Sequence, residues 1–498
     1  MSFIGLLIVC NLSIWAQKKI ITGRVIDVET GIALPFASIS FNDYSNGSVS
    51  NSEGVYVMDI AADRLEDSLY FSYMGYKTLS VSVKSLFLEG SVWLRSAQIN
   101  LAEIPVYSQT LNALAIIKLV EKNFPKNHPQ VNQVQHLFYH SYNNTPFSEA
   151  NRMNVLKTSF TDIDQGLVDE VLEVIPEDIK SYRDVIVDFY SHGAERKIMP
   201  IEGISLQEST ALSVQKQIEE KLLSLTEDIE LSFEDDELYY KMGTGIISSK
   251  LELDESDSED IDTVMTNTDD TTHYLIRAEY LRKDIENFLV NTADINSDNL
   301  EFINKPKKYN YQKELTLFND EWVYKISFDP KEQGIFQGVL YIAATNYAIL
   351  QFDYEFATGK STENINLLGI GHKVNYKKAQ VIYEKLDTAY FVKYVNAEKR
   401  EFFSVDRDFF MVKKEKRFLF DKALNKIKFA LDMQFETKNG WELLVIHRQN
   451  LTKEAFELVK EPEKMTIKKE FVYSMDMWDH GSVIVPNTEL KNFRRDNK

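Results

Sequence analysis

Cysteine is almost absent from this sequence. Among 498 residues the single example is Cys10, which lies in an apolar stretch at the N-terminus. One thiol cannot form an intramolecular disulfide or a multi-cysteine metal site. If residues 1–16 are removed as an export signal, the mature chain has no cysteine, which also excludes thiolate catalysis. The mature protein must then be stabilised by its core alone.

Positive charge is also scarce. The chain carries 56 Lys and Arg against 76 Asp and Glu, and its formal net charge is −20. Nucleic acid and anionic membrane surfaces attract proteins that concentrate Lys and Arg on one face. The acid excess therefore argues against both as partners.

Long uncharged apolar segments are missing as well. The run at residues 3–9 is too short for a membrane span, which needs about 20 apolar residues, and suits the apolar part of an export signal. We expect cleavage after Ala16, so that Gln17 begins the mature chain; a buried N-terminal strand is the alternative. No later segment reaches spanning length, so we predict no transmembrane helix.

Aromatic residues are plentiful, at 12% of the chain, and favour a sheet-rich fold. Short alternating runs separated by turn residues fill the region 18–108. Such spacing is typical of a small antiparallel β-sandwich. The predicted strands are residues 20–27, 36–41, 55–58, 69–73, 78–83 and 91–94.

This region resembles the carboxypeptidase-regulatory-like domain, a transthyretin-like β-sandwich. The resemblance rests on motif residues spread over about 80 positions, namely Gly23, Val25, Asp27, Gly31, Pro35, Ala37, Ile39, Ser50–Gly54, Tyr56 and Phe71–Tyr76. It implies an exported protein of the cell envelope, in the periplasm or at the outer membrane. We expect these residues to have structural roles, with Gly54 at positive φ in a tight hairpin and Gly75 allowing close backbone approach beside Tyr76.

The remainder divides into a mixed helix and strand region at 109–300 and a β-meander at 301–498. Residues 111–124 are helical in period, with Asn112 as the N-cap and Pro125 as the stop. Helical patterns also occur within 205–226 and 273–289, and an acidic loop occupies 227–270. The predicted fold class is mainly β with an α+β remainder: the sandwich, then a large curved antiparallel sheet with a few covering helices.

The most tempting catalytic pair is His192 and Glu195, because a His-x-x-Glu pair supplies two zinc ligands in metallocarboxypeptidases. A third ligand would have to come from His273 or His372, and neither lies in a recognisable context. The carboxypeptidase accessory domain also follows its catalytic domain, whereas the similar region here comes first. A polar loop is therefore the preferred interpretation of the pair.

Other candidate sites are weaker. His136 and His140 are four residues apart, but their flanking residues indicate a strand and lack the His-Glu-x-x-His pattern. The acidic residues 254–262 lack the glycine and the alternating ligands of a calcium loop. The glycines at 243–245 and 369–371 are too few for a phosphate-binding fingerprint. We therefore predict no catalytic residue, no metal ligand and no cofactor.

These observations favour a non-catalytic, exported binding or scaffolding protein of the cell envelope, whose partner would be an envelope protein, a glycan or a lipid. Two alternatives stay open. One is a zinc metallocarboxypeptidase-like enzyme using His192 and Glu195. The other is a periplasmic lipid or lipoprotein carrier with an apolar concavity in the sheet between residues 300 and 460, suggested by its aromatic strands.

Overall fold

A computed structural model describes residues 19–42, 47–97, 111–161, 163–207, 217–218, 220–223, 237–245, 247–250, 273–319, 321–418, 420–474, 477–478, 484–486 and 488–493. The predicted signal, Cys10 and the acidic residues 254–262 lie outside these ranges. The chain divides into two compact units. The first is Met1–Gln98 with Phe318–Asp320 and Gly481–Asn487, and the second is the remainder. Within the ranges above, no helix is long and apolar enough to cross a membrane.

The first unit is a sandwich of two sheets, ordered β4-β1-β7 and β3-β2-β5-β6. The pairing is antiparallel except between β1 and β7, which are parallel. The predicted antiparallel sandwich is thus confirmed, with one parallel pair added. Its elements are β1 (Lys19–Asp27), β2 (Ser38–Phe41), β3 (Gly47–Val49), β4 (Val55–Ile60), a 3-10 turn (Ala62–Arg64), β5 (Ser68–Ser72), β6 (Leu79–Ser82), α1 (Val83–Glu89) and β7 (Val92–Leu94).

The core of this unit lies between its two sheets. Val25 and Tyr56 from one sheet and Ile39 and Phe71 from the other are fully buried in one cluster. The rings of Tyr56 and Phe71 meet edge to face, with centroids 5.2 Å apart. Burying each such side chain stabilises the fold by roughly 1.5–3 kcal/mol. The core therefore follows from the period-two alternation of these strands.

Two motif glycines have positions that a larger residue would not tolerate. A Cβ at Gly23 would lie 1.6 Å from the Gly90 carbonyl oxygen, which also accepts a 2.9 Å hydrogen bond from the Tyr56 hydroxyl. Gly54 has φ +72°, as expected, but its turn joins β3 to β4, which belong to different sheets. The expected hairpin is therefore wrong. The turn crosses between the sheets, and the side chain of Asn51 closes it by accepting from the backbone N–H groups of residues 53 and 55.

Asp27 closes the loop that follows β1. Its carboxylate accepts from the Glu29 backbone N–H at 2.9 Å, the Thr30 hydroxyl at 2.7 Å and the Tyr76 hydroxyl at 3.2 Å. The Glu29 N–H is the main cause that holds the Asp27 pKa below its usual value. These bonds give Asp27 and Tyr76 a structural role in the loop.

The second unit is built on one large curved sheet, which confirms the predicted fold class. Its main path runs β14-β23-β11-β10-β8-β22-β21-β20-β18-β17-β16-β15, and the register is antiparallel except between β11 and β23. Strands from both sides of residue 300 belong to it. The strands are β8 (Gln133–Pro146), β9 (Arg152–Thr158), β10 (Asp178–His192), β11 (Glu195–Gln207), β12 (Leu238–Thr244), β13 (Ile247–Lys250), β14 (His273–Arg277), β15 (Tyr309–Phe318), β16 (Glu321–Pro330), β17 (Phe336–Ala343), β18 (Ile349–Phe356), β19 (Thr362–Leu367), β20 (Ile370–Leu386), β21 (Ala389–Glu415), β22 (Lys422–Asn450) and β23 (Lys464–Glu470).

Helices cover one face of this sheet. Tyr139 on β8 packs against Phe288 at 5.8 Å, and Phe302 stacks on Phe328 of β16 at 4.2 Å. Because neighbouring strand residues point to opposite faces, His136 and His140 lie on the face away from these helices. The helices are α2 (Ala113–Asn127), α3 (Gln165–Val174), α4 (Ala278–Ala293), α5 (Glu301–Asn304), α6 (Lys453–Leu458) and α7 (Thr488–Lys491), with 3-10 turns at Asp298–Leu300 and Pro306–Lys308.

The helix predictions were right in kind and inexact in their ends. Asn112 caps α2 as predicted, accepting from the Ala115 backbone N–H at 2.8 Å. Pro125 does not stop α2 at once: it removes the N–H that would donate to the carbonyl four residues earlier, and the helix ends two residues later, at Asn127. Residues 273–277 form β14 instead of helix, since they pair with β23. Residues 205–207 likewise extend β11, whereas residues 217–218 and 220–223 are helical.

Candidate functional site

His192 and Glu195 face each other across a tight turn. His192 ends β10, Glu195 begins β11, and Gly193 between them has φ +55°. The His192 ring stacks on Phe456 with centroids 5.4 Å apart, and the Gly193 N–H donates to the Asn132 side chain at 2.9 Å. The expected polar loop is thus a hairpin turn held by its neighbours.

Among the residues that the structure describes, one His and acid group has the spacing of metal ligands, and it contains neither His192 nor Glu195. It consists of Glu363, His372 and Glu401. Glu363 lies 3.5 Å from Nδ1 of His372 and Glu401 lies 3.5 Å from Nε2, so the two carboxylates flank opposite edges of the ring. Lys399 is 2.9 Å from Glu401. These contacts are those of a partly exposed ion-pair cluster.

One glycine of each pair lies in a turn, whereas Gly243 and Gly371 lie in strands β12 and β20. Gly245 has φ +58° between β12 and β13, and Gly369 has φ +82° between β19 and β20. A Cβ at Gly369 would lie 2.1 Å from the Asp406 carbonyl oxygen. The structure therefore gives these glycines a conformational role.

His136 and His140 belong to a polar system on the face of the sheet away from α4. Each lies directly opposite an aspartate of β10: His136 Nδ1 is 2.8 Å from Asp188, and His140 Nδ1 hydrogen-bonds Asp184. Burial alone would lower the His140 pKa, but attraction to Asp184 and Glu442 raises it above the usual value. The sequence analysis predicted that both histidines lie on a strand, but it did not predict their aspartate partners on β10.

The pair His140 and Asp184 belongs to a row of polar residues that crosses six neighbouring strands. Asn396 donates to Glu442 at 3.0 Å and Gln380 donates to Asp353 at 2.5 Å. Desolvation raises the pKa of both acids in these bonds, Glu442 and Asp353. The row runs Asp184, His140, Glu442, Asn396, Gln380 and Asp353.

A cavity of about 590 Å³ lies on the opposite, helix-covered face. Its walls are strands β8, β10, β20, β21 and β22, the C-terminal end of α2, and the second half of α4. Small-molecule sites commonly have volumes of about 300–1,000 Å³. The apolar part of the lining includes Phe189, Leu289, Val290, Phe391, Leu443 and Val445.

Arg448 supplies a buried cation to this lining. Its side chain is 10% exposed, and its guanidinium donates to the Val392 carbonyl at 2.6 Å and to Glu384 at 3.3 Å. It lies over the Phe391 ring at 4.9 Å. Lys393, 2% exposed, is 3.7 Å from the same Glu384 carboxylate. Desolvation lowers the pKa of both cations.

His128 lines the cavity where α2 ends. Its ring stacks on Phe124 at 4.4 Å and meets Tyr383 edge-on at 4.5 Å, while its Nε2 accepts from the Ile349 N–H at 3.2 Å. Desolvation lowers the His128 pKa to about 3. The imidazole is therefore neutral at physiological pH.

A second, more polar pocket of about 380 Å³ also opens on this face. Trp441, Tyr274 and the amides of Asn143 and Asn439 line it. Asn143 and Asn439 hydrogen-bond each other at 2.7 Å, so two of its polar groups are already paired.

The sequence analysis missed Arg448, Lys393 and His128 as site residues. One feature of the sequence could have indicated Lys393: it lies between Val392 and Tyr394, in a strand whose charged residues fall on both faces of the sheet. His128 lies in a cluster of Asn and Pro that resembles a simple loop. Nothing in the local pattern around Arg448 indicates a cavity, because its neighbours in the site come from distant strands.

Comparison with known proteins identifies one part of the chain. Residues 21–106 match the family described as the CarboxypepD_reg-like domain. This confirms the predicted carboxypeptidase-regulatory-like domain at the N-terminus. No curated protein matches the sequence.

Solved structures give only distant likenesses. Lipovitellin, from a structure on lipid–protein interactions, is 8% identical over 65% of this chain and 26% of its own, with a TM-score of 0.21. The LolA superfamily protein NE2245 from Nitrosomonas europaea is 6% identical over 68% and 96%, with a TM-score of 0.16. MucB in complex with MucA(peri) is 6% identical over 64% and 93%, also at 0.16. This chain thus spans about a quarter of lipovitellin, and none of these likenesses carries an argument about fold or function.

Proposed function

We propose that this protein is a non-catalytic binding protein of the cell envelope, and that the 590 Å³ cavity of the second unit holds its ligand. The cavity carries the proposal. A sheet and helices that packed solidly would leave no room for a small molecule, whereas here strands β8, β10, β20, β21 and β22 and helices α2 and α4 line an open cavity of ligand size.

The lining supports a small amphipathic ligand in preference to a protein or a glycan. Phe189, Leu443 and Val445 present apolar surface from the sheet, and Leu289 and Val290 present it from α4. Apolar walls with a few convergent polar groups are typical of small-molecule sites. The aromatic strands that suggested a lipid carrier thus contribute to both core and cavity, and a lipid-like molecule is the ligand we propose.

The cell-envelope location rests on two sequence features. The N-terminal CarboxypepD_reg-like domain resembles domains that head exported envelope proteins, and residues 1–16 resemble an export signal. Fractionation of cells that express the full chain tests this part: we expect it with the periplasm or outer membrane, and recovery in the cytosol would contradict the location.

The ligand proposal is tested by binding of the neutral fluorophore Nile red to the full chain, with native mass spectrometry to detect any co-purified molecule. Val290 lines the cavity and is 53% exposed, so Val290→Trp should fill the cavity without disturbing the core. Val472 is 46% exposed and does not line it, so Val472→Trp is the matched control.

We expect saturable binding by the wild type, about tenfold weaker binding by Val290→Trp, and no change in Val472→Trp. A tenfold loss corresponds to about 1.4 kcal/mol of binding free energy. Both variants should melt as the wild type does, because both positions are exposed. Equal binding by all three proteins, or none by the wild type, would contradict the assignment of the cavity.

A further inference from the structure

We infer that the cavity selects an acyl-chain ligand with an anionic head group, which Arg448 binds. This inference rests on the proposed function and adds the chemical class of the head group. It comes from the charges around Arg448, which lies in the cavity wall.

Arg448 in this wall and Lys393 behind it, which does not line the cavity, share one carboxylate. Arg448 and Lys393 both contact Glu384, at 3.3 Å and 3.7 Å, and the three side chains are 10%, 2% and 12% exposed. The cluster therefore has one positive charge more than it has negative charge. An unbalanced buried charge is costly, and a ligand anion would compensate it.

The nearest other acids are already engaged. Burial lowers the pKa of His447, and the nearby Lys393 lowers it further, whereas the charge of Asp188 acts in the opposite direction. Asp188, however, is already paired with His136 at 2.8 Å. Two acids that line the cavity from α4 also have partners: Glu286 is 3.6 Å from Arg282, and Asp294 accepts from the backbone and side chain of Asn296. Among the residues that the structure describes, none of these three acids forms a hydrogen bond or an ion pair with Arg448.

Arg448 also has an unused donor. Its Nη2 atom donates to Glu384 and to the Val392 carbonyl, and its Nη1 atom approaches the Gln133 side chain at 3.4 Å. The Nε–H is buried and has no acceptor among the residues that the structure describes. A buried N–H without an acceptor is unfavourable, so a ligand oxygen in the cavity would satisfy a charge and a hydrogen bond together.

The other cation that lines the cavity, Arg196, does not compete for this role. Arg196 donates from its Nη1 atom to the carbonyls of Gly193 and Glu195, both at 2.8 Å, within the exposed turn after β10. The apolar side chains of Phe189, Leu289 and Leu443 line the same cavity as Arg448. This combination suits a hydrocarbon chain that ends in an anion.

The test compares four ligands of equal chain length by displacement of Nile red from the full chain: dodecanoate, dodecyl phosphate, 1-dodecanol and dodecyltrimethylammonium. A hydrogen bond to a charged group contributes about 1.5–3 kcal/mol, so we expect an anion to bind about tenfold or more tightly than the alcohol. The cation should bind weakest. The ratio between the two anions identifies the head group as carboxylate or phosphate.

Two variants move this preference in opposite directions. Arg448→Met leaves Lys393 and Glu384 as a neutral pair and should remove the preference for the anion over the alcohol. Glu384→Gln leaves two cations unbalanced and should increase the preference. Alcohol binding reports whether each variant still folds around its cavity.

The outcomes separate the inference from the proposed function. Equal binding of the anions and the alcohol to the wild type would overturn the anionic head group and leave the cavity as a site for neutral lipid. An unchanged preference in Arg448→Met that still binds the alcohol would overturn the role of Arg448. Failure of all four ligands to displace Nile red from the wild type would overturn both proposals.

Discussion

The two units use buried polar groups in different ways. In the first unit, Asp27 and Asn51 accept hydrogen bonds from nearby backbone and hydroxyl groups and so fix loops of the sandwich. In the second unit, His140 and Asp184 pair across neighbouring strands, and Arg448, which lines a cavity, shares the Glu384 carboxylate with Lys393. The first unit is organised by local bonds and close packing, the second by long-range contacts between charged groups.

This difference between the units separates the residues that form a sequence motif from those that line the cavity. Residues such as Gly23, Gly54 and Asp27 form a recognisable motif because the conformation of the sandwich requires them. The cavity of the second unit has no motif, since Phe189, Val290 and Arg448 come together only through the order of the strands. The matched domain family therefore does not mark the part of the chain that contains the cavity.

The largest effect is expected in the first unit. Gly23→Ala places a methyl group where the Gly90 carbonyl and the Tyr56 ring already lie, and should destabilise this unit by more than about 4 kcal/mol. Gly31→Ala is the control: its φ is +69°, but nothing lies within 4 Å of the added Cβ, so we expect about 1 kcal/mol from backbone strain. Hydrogen exchange of β1 and β4 measures both, and equal losses would contradict the close-approach role of Gly23.

The second effect concerns the row of polar residues in the large sheet. Asp184→Ala leaves His140 buried without its partner and should cost about 3 kcal/mol. Asp188→Ala on the same strand provides the control, because its pair with His136 is more exposed, at 31% and 24% against 7% and 13%. We expect a loss of about 1 kcal/mol there. Urea denaturation measures the loss of unfolding free energy in each variant, and hydrogen exchange in β8 and β10 locates it. Equal losses in the two variants would contradict the stronger contribution of the buried pair.

The smallest expected effect is the pH dependence of stability, which differs between the two units. Because the His128 pKa is lowered to about 3, the unfolded chain takes up a proton below pH 6.5 that the folded unit does not. Stability is therefore lost as the pH falls, by about 1.4 kcal/mol per unit and about 2 kcal/mol at pH 5. In the first unit the Asp27 pKa is lowered from 3.8, so its contribution is lost only below about pH 3.8.

His128→Gln isolates this contribution in the second unit. Burial raises the Glu442 pKa, so Glu442 acts in the opposite direction, with stability lost as the pH rises above 4.5, and it is common to wild type and variant. The difference in unfolding free energy between the two proteins should therefore narrow or reverse in favour of the variant between pH 7.5 and pH 5. A constant difference would show that His128 does not titrate as its burial requires.

The sandwich was predictable because its signals are local. Six of its seven strands follow from alternation between apolar and polar residues, and the exception, β3, is only three residues long. The helix α2 and its cap at Asn112 were equally local. The errors at Pro125 and at residues 273–277 arose where tertiary pairing or position in the helix outweighs local preference.

The candidate site was not predictable in the same way. Each polar residue that the sheet contributes is a single member of an ordinary strand. Lys393 lies at a register shift between β20 and β21, Ile446 lies at a register shift between β22 and β8, and Lys393 donates to the Ile446 carbonyl at 3.3 Å. Local sequence excluded several chemistries, including disulfides and a phosphate-binding fingerprint. It gave no indication that Arg448 would be buried.

By itself, the sequence determined the strands, the family of the N-terminal domain and the excess of acid, because each depends on residue type and short-range spacing. Tertiary structure alone decided that a cavity exists and that Arg448 in its wall shares one carboxylate with Lys393. The reason is physical: burial removes water from groups that the chain brings together over hundreds of residues, and only the completed sheet fixes which charges remain without a counter-charge.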